Sequence, residues 1–167
     1  MIKINVAQIK KRLVSKKELA YDLEAAELGI KPEEMDLNGP VRLEGSMSNV
    51  GDVLLLEAVL TAEVKRRCGR CLKGFIAVTK AEIVEKYFPV NAENIASDAF
   101  VYDSDVVDIT EPLREGLLLA EPMQALCNLD CKGLCPVCGA DLNDGDCGCG
   151  RFTVDPRLAA LKRFIKN

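Results

Sequence analysis

Histidine and tryptophan are absent from this chain, and aromatic residues make up only 5% of it. Without histidine there is no Ser–His or Cys–His catalytic arrangement, and no histidine-held zinc site. Without tryptophan, and with so few other rings, the core has to be built from Leu, Val and Ala. Phe75, Tyr87 and Phe152 are the stacking residues nearest the cysteine-bearing segments. No apolar run approaches the roughly 20 residues of a transmembrane helix, so no membrane is expected as a partner. The N-terminal stretch MIKINVAQIKKRLVSKK carries neither an apolar h-region nor a cleavage site. A cytoplasmic location with reduced thiols is the expectation.

What the sequence does have is cysteine, and it is concentrated. Six of the eight cysteines fall in CNLDCKGLCPVCGADLNDGDCGC, from Cys127 to Cys149, and the other two form Cys68-Gly69-Arg70-Cys71. Zinc is held by thiolates at short, fixed spacings, because one tight turn must aim two sulfurs at one ion. Cys135-Pro136-Val137-Cys138-Gly139 is such a turn: proline presets its φ and glycine can take φ > 0. With Cys147 and Cys149 it makes C-x2-C-x8-C-x-C, one closed four-cysteine site. Cys68, Cys71, Cys127 and Cys131 then form a second, provided the fold brings residue 70 beside residue 130. A disulfide framework is disfavoured by the reducing compartment, and a thioredoxin-type role by the lack of a βαβ pattern. Two zinc ions with all-cysteine ligands are expected. Such closed sites are structural, since catalytic zinc keeps an open position, and no enzymatic activity is expected.

The net charge of −4 is unevenly spread. Residues 82–121 hold ten acidic and two basic residues, a balance of −8. Lys65, Arg66, Arg67, Arg70 and Lys73 lie within nine residues with no acid among them, and residues 151–167 carry +4. Solvated faces are one reading. The other is a local polyanion site at the Cys68 knuckle, where arginine pairs bidentately with phosphate and lysine adds point charge. None of the five is a metal ligand, so reversing Arg66, Arg67 and Arg70 is expected to leave folding and metal content intact.

Alternating apolar residues predict strands at 1–6 and around 19–23, a turn at 29–34, and then a β-meander. In the meander Val41, Leu43, Gly45 and Met47 face one way. After a turn at 49–52, Leu54, Leu56, Ala58, Leu60, Ala62 and Val64 do the same. The Cys68 knuckle then forms a hairpin tip, and a third strand returns from about Phe75 to Phe88. Asp108-Ile109-Thr110-Glu111-Pro112 reads as a helix start, with Leu113 and Leu117 on its apolar stripe and Pro122 beyond its end. Asp155-Pro156 predicts a C-terminal helix. The fold class is α+β: an antiparallel β-meander sheet with a few helices and a C-terminal zinc-knuckle segment. The expected division is a β-rich domain at 1–122 and a cysteine-rich segment with a C-terminal helix at 123–167, packed together as one unit.

Several stretches, taken in order, resemble the YceD family: Cys68 to Leu72, Asp108 to Met123, Cys131 to Asn143 and Asp155 to Leu161. That family is named for accumulation of large-subunit ribosomal RNA. The resemblance implies a non-enzymatic factor in ribosomal RNA accumulation or processing and in large-subunit biogenesis, with 23S ribosomal RNA or its precursor as partner. On that reading Lys65, Arg66, Arg67, Arg70 and Lys73 contact RNA phosphates, and the scarcity of aromatics favours backbone recognition over base readout. The acidic stretch suits either a basic ribosomal protein or repulsion of RNA from the wrong face. A redox-sensitive zinc protein, acting as a protein-binding or chaperone-like module, is the alternative reading.

Overall fold

The computed structural model describes residues 1–150 other than 52, 94 and 96–98, together with Arg157. The expected C-terminal helix from Pro156, Phe152, and the basic residues Lys162, Arg163 and Lys166 lie outside the described residues. The chain forms two compact units, one of residues 1–66 and 75–123, the other of residues 67–74 and 124–167.

In the first unit, strands β1 (Lys3–Asn5), β2 (Lys16–Leu23), β3 (Val41–Asn49), β4 (Leu54–Arg67), β5 (Gly74–Pro89), β6 (Phe100–Tyr102) and β7 (Val106–Asp108) combine with helices α1 (Ala25–Leu28) and α2 (Thr110–Leu119). Five strands form one sheet in the order β2-β3-β4-β5-β6, and β1 pairs antiparallel with β7 as a separate ribbon. The register β3–β4 (Leu43 opposite Leu60) is antiparallel, as the meander predicts, and β2 adds to it antiparallel (Leu19 opposite Gly45). β6 departs from it. It runs parallel to β5, Tyr87 opposite Phe100, so the sheet is mixed rather than purely antiparallel. A tight hairpin joins only antiparallel neighbours, so a parallel one needs a longer connection than a turn.

The period-2 pattern decides which side chains are buried. All six alternating residues of β4, from Leu54 to Val64, are buried with Leu19, Leu43, Met47, Ile83 and Tyr87. Residues of the N-terminal segment, Ile4, Val6 and Ile9, join them, as do Ile109, Leu113 and Leu117. The start of α2 is held by Asp108, whose Oδ1 accepts from the Thr110 N–H at 2.9 Å and from its hydroxyl at 2.6 Å. Burial pushes the Asp108 carboxyl up, but these two donors, with attraction to Lys3 and the N-terminal ammonium, make the net shift downward. Gly116 lets α2 lie directly on β5, for a Cβ there would stand 2.7 Å from Ile83 Cγ1. α1 was not foreseen. It is a single turn closed by reciprocal Glu24 and Glu27 contacts and a left-handed Gly29, too short to show an apolar stripe.

Candidate metal centres

The second unit contains both cysteine clusters. Cys68, Cys71, Cys127 and Cys131 form one group and Cys135, Cys138, Cys147 and Cys149 the other. Within each group all four sulfurs lie within 4.8 Å of one another. This is the ligand partition expected from the spacing. Cys68 and Cys131 are 3.7 Å apart through their Sγ atoms, and Cys71 and Cys127 3.6 Å. A tetrahedral ion with metal–sulfur bonds of about 2.3 Å needs sulfur–sulfur edges of roughly 3.8 Å. All eight cysteines are free thiols, and the donor set and spacing therefore fit two four-thiolate metal sites of the zinc type.

Two turns with one hydrogen-bond frame build these sites. In the first, the Cys68 N–H donates to Lys73 O (2.9 Å) and the Leu72 N–H to Cys68 O (2.9 Å). In the second, the Cys135 N–H donates to Ala140 O (2.8 Å) and the Gly139 N–H to Cys135 O (2.9 Å). The residue after the second cysteine is left-handed in both, Gly139 at φ 75° and Leu72 at φ 60°. Further donors reach the sulfurs: the Arg70 N–H points to Cys68 Sγ at 3.4 Å and Asn143 Nδ2 to Cys131 Sγ at 3.5 Å. Such contacts orient ligands and offset thiolate charge.

The thiols are electrostatically unequal. Backbone N–H groups of Cys127 and Cys71 draw Cys68 down to about 6. Those of Cys138 and Val137 draw Cys135 down to about 6. The neighbouring Cys71 sulfur, then burial, pushes Cys127 up to about 12, and the Cys138 and Cys147 sulfurs push Cys149 up to about 12. Each cluster therefore favours one thiolate and resists ionisation at two of its neighbours, Cys71 and Cys127 in the first and Cys147 and Cys149 in the second, because like charges at this spacing repel. A divalent cation at the centre reverses that balance and deprotonates the set.

A family model described as large ribosomal RNA subunit accumulation protein YceD matches residues 56–165, a span that takes in all eight cysteines. The chain belongs to the YceD family. It is 26% identical over 145 residues to an uncharacterized protein of Mycobacterium tuberculosis, covering 84% of this chain and 69% of that one. To the uncharacterized Bacillus subtilis protein YlbN it is 28% identical over 133 residues, 77% of this chain and 76% of that one. A shorter stretch of 55 residues is 42% identical to the Arabidopsis thaliana chloroplastic protein named large ribosomal RNA subunit accumulation protein YCED homolog 1. It covers 33% of this chain and 17% of the plant protein. No solved structure matches. Among the described residues, no helix is long and apolar enough to cross a membrane.

The five basic residues of this YceD-family chain sit in different surroundings. Arg66 turns inward. Its side chain is 8% exposed, its Nε lies 2.9 Å from Glu121 Oε1, and its Nη2 donates to the Thr79 hydroxyl. Arg70 is exposed, but its Nη1 donates to the carbonyls of Cys131 (2.9 Å) and Leu129 (3.2 Å). Lys73 pairs with Asp141 at 2.8 Å and Asp144 at 3.3 Å, and these carboxylates, Asp141 first, raise it above the ordinary lysine range. Lys65 and Arg67 are exposed and pair with no side chain among the described residues. The expectation that Arg66 and Arg70 can be reversed without cost to the fold is thereby corrected, since both hold parts of the chain together. The signal was in the sequence: Arg66 continues the even-numbered inward series from Leu54 to Val64, which leaves Lys65 and Arg67 outside. Lys11 and Arg12 are also exposed, in the loop before β2, and lie outside the candidate contacts.

Proposed function

We propose that this chain is a non-enzymatic factor for ribosomal RNA accumulation and processing in large-subunit biogenesis, that it acts in the cytoplasm, and that it binds 23S ribosomal RNA or its precursor directly. The observation that carries this reading is the family match over 56–165, with plant relatives named for accumulation of large-subunit ribosomal RNA. Zinc fills both four-cysteine groups and, by drawing eight thiolates around two cations, supplies structure rather than chemistry. The phosphate contacts are Lys65 and Arg67, together with the donors of Arg70 that the Cys131 and Leu129 carbonyls leave free. Arg66 and Lys73, named with them on charge alone, support the fold instead.

The test is a salt titration of binding to a 23S ribosomal RNA fragment, with wild type against Lys65→Glu/Arg67→Glu. Phosphate contacts release counterions, at a log–log slope of about −0.7 each on single strands. The double variant should bind about tenfold more weakly with a shallower slope, at unchanged metal content. Coincident curves would remove direct RNA contact by these residues. The exposed positions of Cys127 and Cys138 favour the redox-controlled protein-binding module as a second reading. Capture of client proteins only after peroxide, with no ribosomal RNA recovered under reducing conditions, would select it.

A further inference from the structure

β5 has β4 as its hydrogen-bonded neighbour on one side, but on its other side only Tyr87–Pro89 meet β6. Among the described residues, no backbone hydrogen bond reaches the remainder of that side. A groove of about 610 Å³ runs there, lined by six consecutive strand residues, Lys80 to Glu85, and across from them by Pro112, Glu115, Gly116, Leu119 and Ala120 of α2 and its end. One face of a strand contributes only alternate residues to a wall. Six in succession mean that the groove follows the strand edge, where unpaired N–H and C=O groups point outward. Gly116, packed against Ile83, brings α2 close enough to form the second wall.

Two further properties bear on what fits. Val84 is 65% exposed and Leu119 84%, so apolar surface flanks the open edge. Glu82, Glu85 and Glu115 also line it, with Lys80 as the one cation in the lining, and among the described residues none of the three glutamates has an ion-pair partner. They belong to the acidic stretch 82–121, with its balance of −8. An exposed edge of this length is a liability unless it is covered.

We propose that this groove takes an extended, lysine- or arginine-rich segment of another protein as an added strand beside β5. Main-chain hydrogen bonds give such pairing its affinity, and side chains above and below the edge give it selectivity. Here the alternate cations of the incoming segment, on the face it turns to α2, meet Glu85 and Glu115, and the apolar residues on its other face meet Val84, with Glu82 adding charge at that rim. The surface and the partner class both differ from those of the RNA contact above, and the proposal stands or falls without it.

The probe is a ten-residue peptide of alternating Lys and Val, added to the metal-loaded full chain. Binding is followed by fluorescence anisotropy, and the site by residue-resolved amide exchange. Every second amide between Lys80 and Glu85 should slow at least tenfold, and Glu82→Lys/Glu85→Lys/Glu115→Lys, changed only at solvent-reaching carboxylates, should weaken binding at least tenfold. Binding without slowed exchange in that stretch would overturn strand addition. Undiminished binding to the triple variant would overturn the charge match. Displacement of the peptide from these amides by a short poly(U) oligonucleotide would overturn the partner class. A concentration-dependent dimer of the chain that protects the same amides would make the occupant a second copy and overturn it as well.

Discussion

The turns Cys68–Lys73 and Cys135–Ala140 share one backbone frame but differ in what surrounds it. Cys68 and Cys71 are buried in the first, whereas Cys138 is exposed in the second. Where the second has Gly139, the first has Leu72, left-handed and 60% exposed. Its side chain therefore gains little burial to offset the backbone cost, about 1–2 kcal/mol for a side chain with a Cβ. Where the second has Ala140, the first has Lys73, tied to Asp141 and Asp144. The comparison teaches that the position of two sulfurs dictates the frame. The residues filling it are free to vary, at a cost that the ionic ties of the first turn offset only in part.

The largest expected effect separates the sites by metal loss. Cys71→Ser and Cys138→Ser should each lower metal content from about two ions per chain to about one. The first should also collapse the amide spectrum of the second unit, whereas the second should leave the Cys68 turn ordered. A chelator should withdraw metal from the exposed site at least about tenfold faster, measured as two phases of release. Equal collapse and a single phase would mean that the two sites act as one cooperative centre.

Next in size is the pair of neighbouring arginines. Arg66→Ala should destabilise the chain by about 2 kcal/mol, because a charge-assisted hydrogen bond and a mostly buried ion pair are lost. Arg67→Ala should change the urea midpoint little. Comparable losses would mean that the inward and outward assignments along β4 are mistaken.

Exchanging the left-handed residues should move stability by about 1 kcal/mol in opposite directions. Leu72→Gly relieves the backbone and stabilises, while Gly139→Ala strains it and destabilises. Nothing stands within 4 Å of a Cβ at Gly139, so the cost there is conformational rather than steric. Two changes of the same sign would break the equivalence of the turns.

The smallest effect concerns pH. Lys73, then the backbone N–H of Asn143, holds the Asp141 carboxyl below the ordinary range. A carboxyl depressed on folding contributes stability above its unfolded pKa and loses it as pH falls through the folded one. Lys73→Ala, which gives the first turn the residue of the second, should return Asp141 to the ordinary carboxylate range by carboxyl-carbon NMR. The stability gap between wild type and variant should be present at pH 7 and close below about pH 4. An unmoved Asp141 would assign the shift to Asn143 alone.

Much of this was legible because period and spacing are local. The six apolar residues of β4 all became core, and the two C-x2-C spacings fall on the two turns that share one hydrogen-bond frame. The union of Cys68 and Cys71 with Cys127 and Cys131 was reached by elimination, since no local pattern links residues so far apart. The parallel placement of β6 is a matter of strand direction, which alternation does not encode. Arg66 is the instructive miss. Net charge grouped it with its neighbours, although strand parity already separated it from them.

The two metal sites also close loops of very different size. The site of Cys135, Cys138, Cys147 and Cys149 gathers ligands from one short stretch, whereas the other ties Cys68 to Cys131 across all of β5, β6, β7 and α2. Closure entropy rises by about 0.6 kcal/mol for each doubling of the loop, so the long closure costs roughly 1.3 kcal/mol more. As the chain emerges from its own synthesis, the first pair of sulfurs must wait until residue 131 has appeared. The local site assembles from ligands that arrive almost together. The long closure is thus a late step, left open until every element between its two ends has been synthesised.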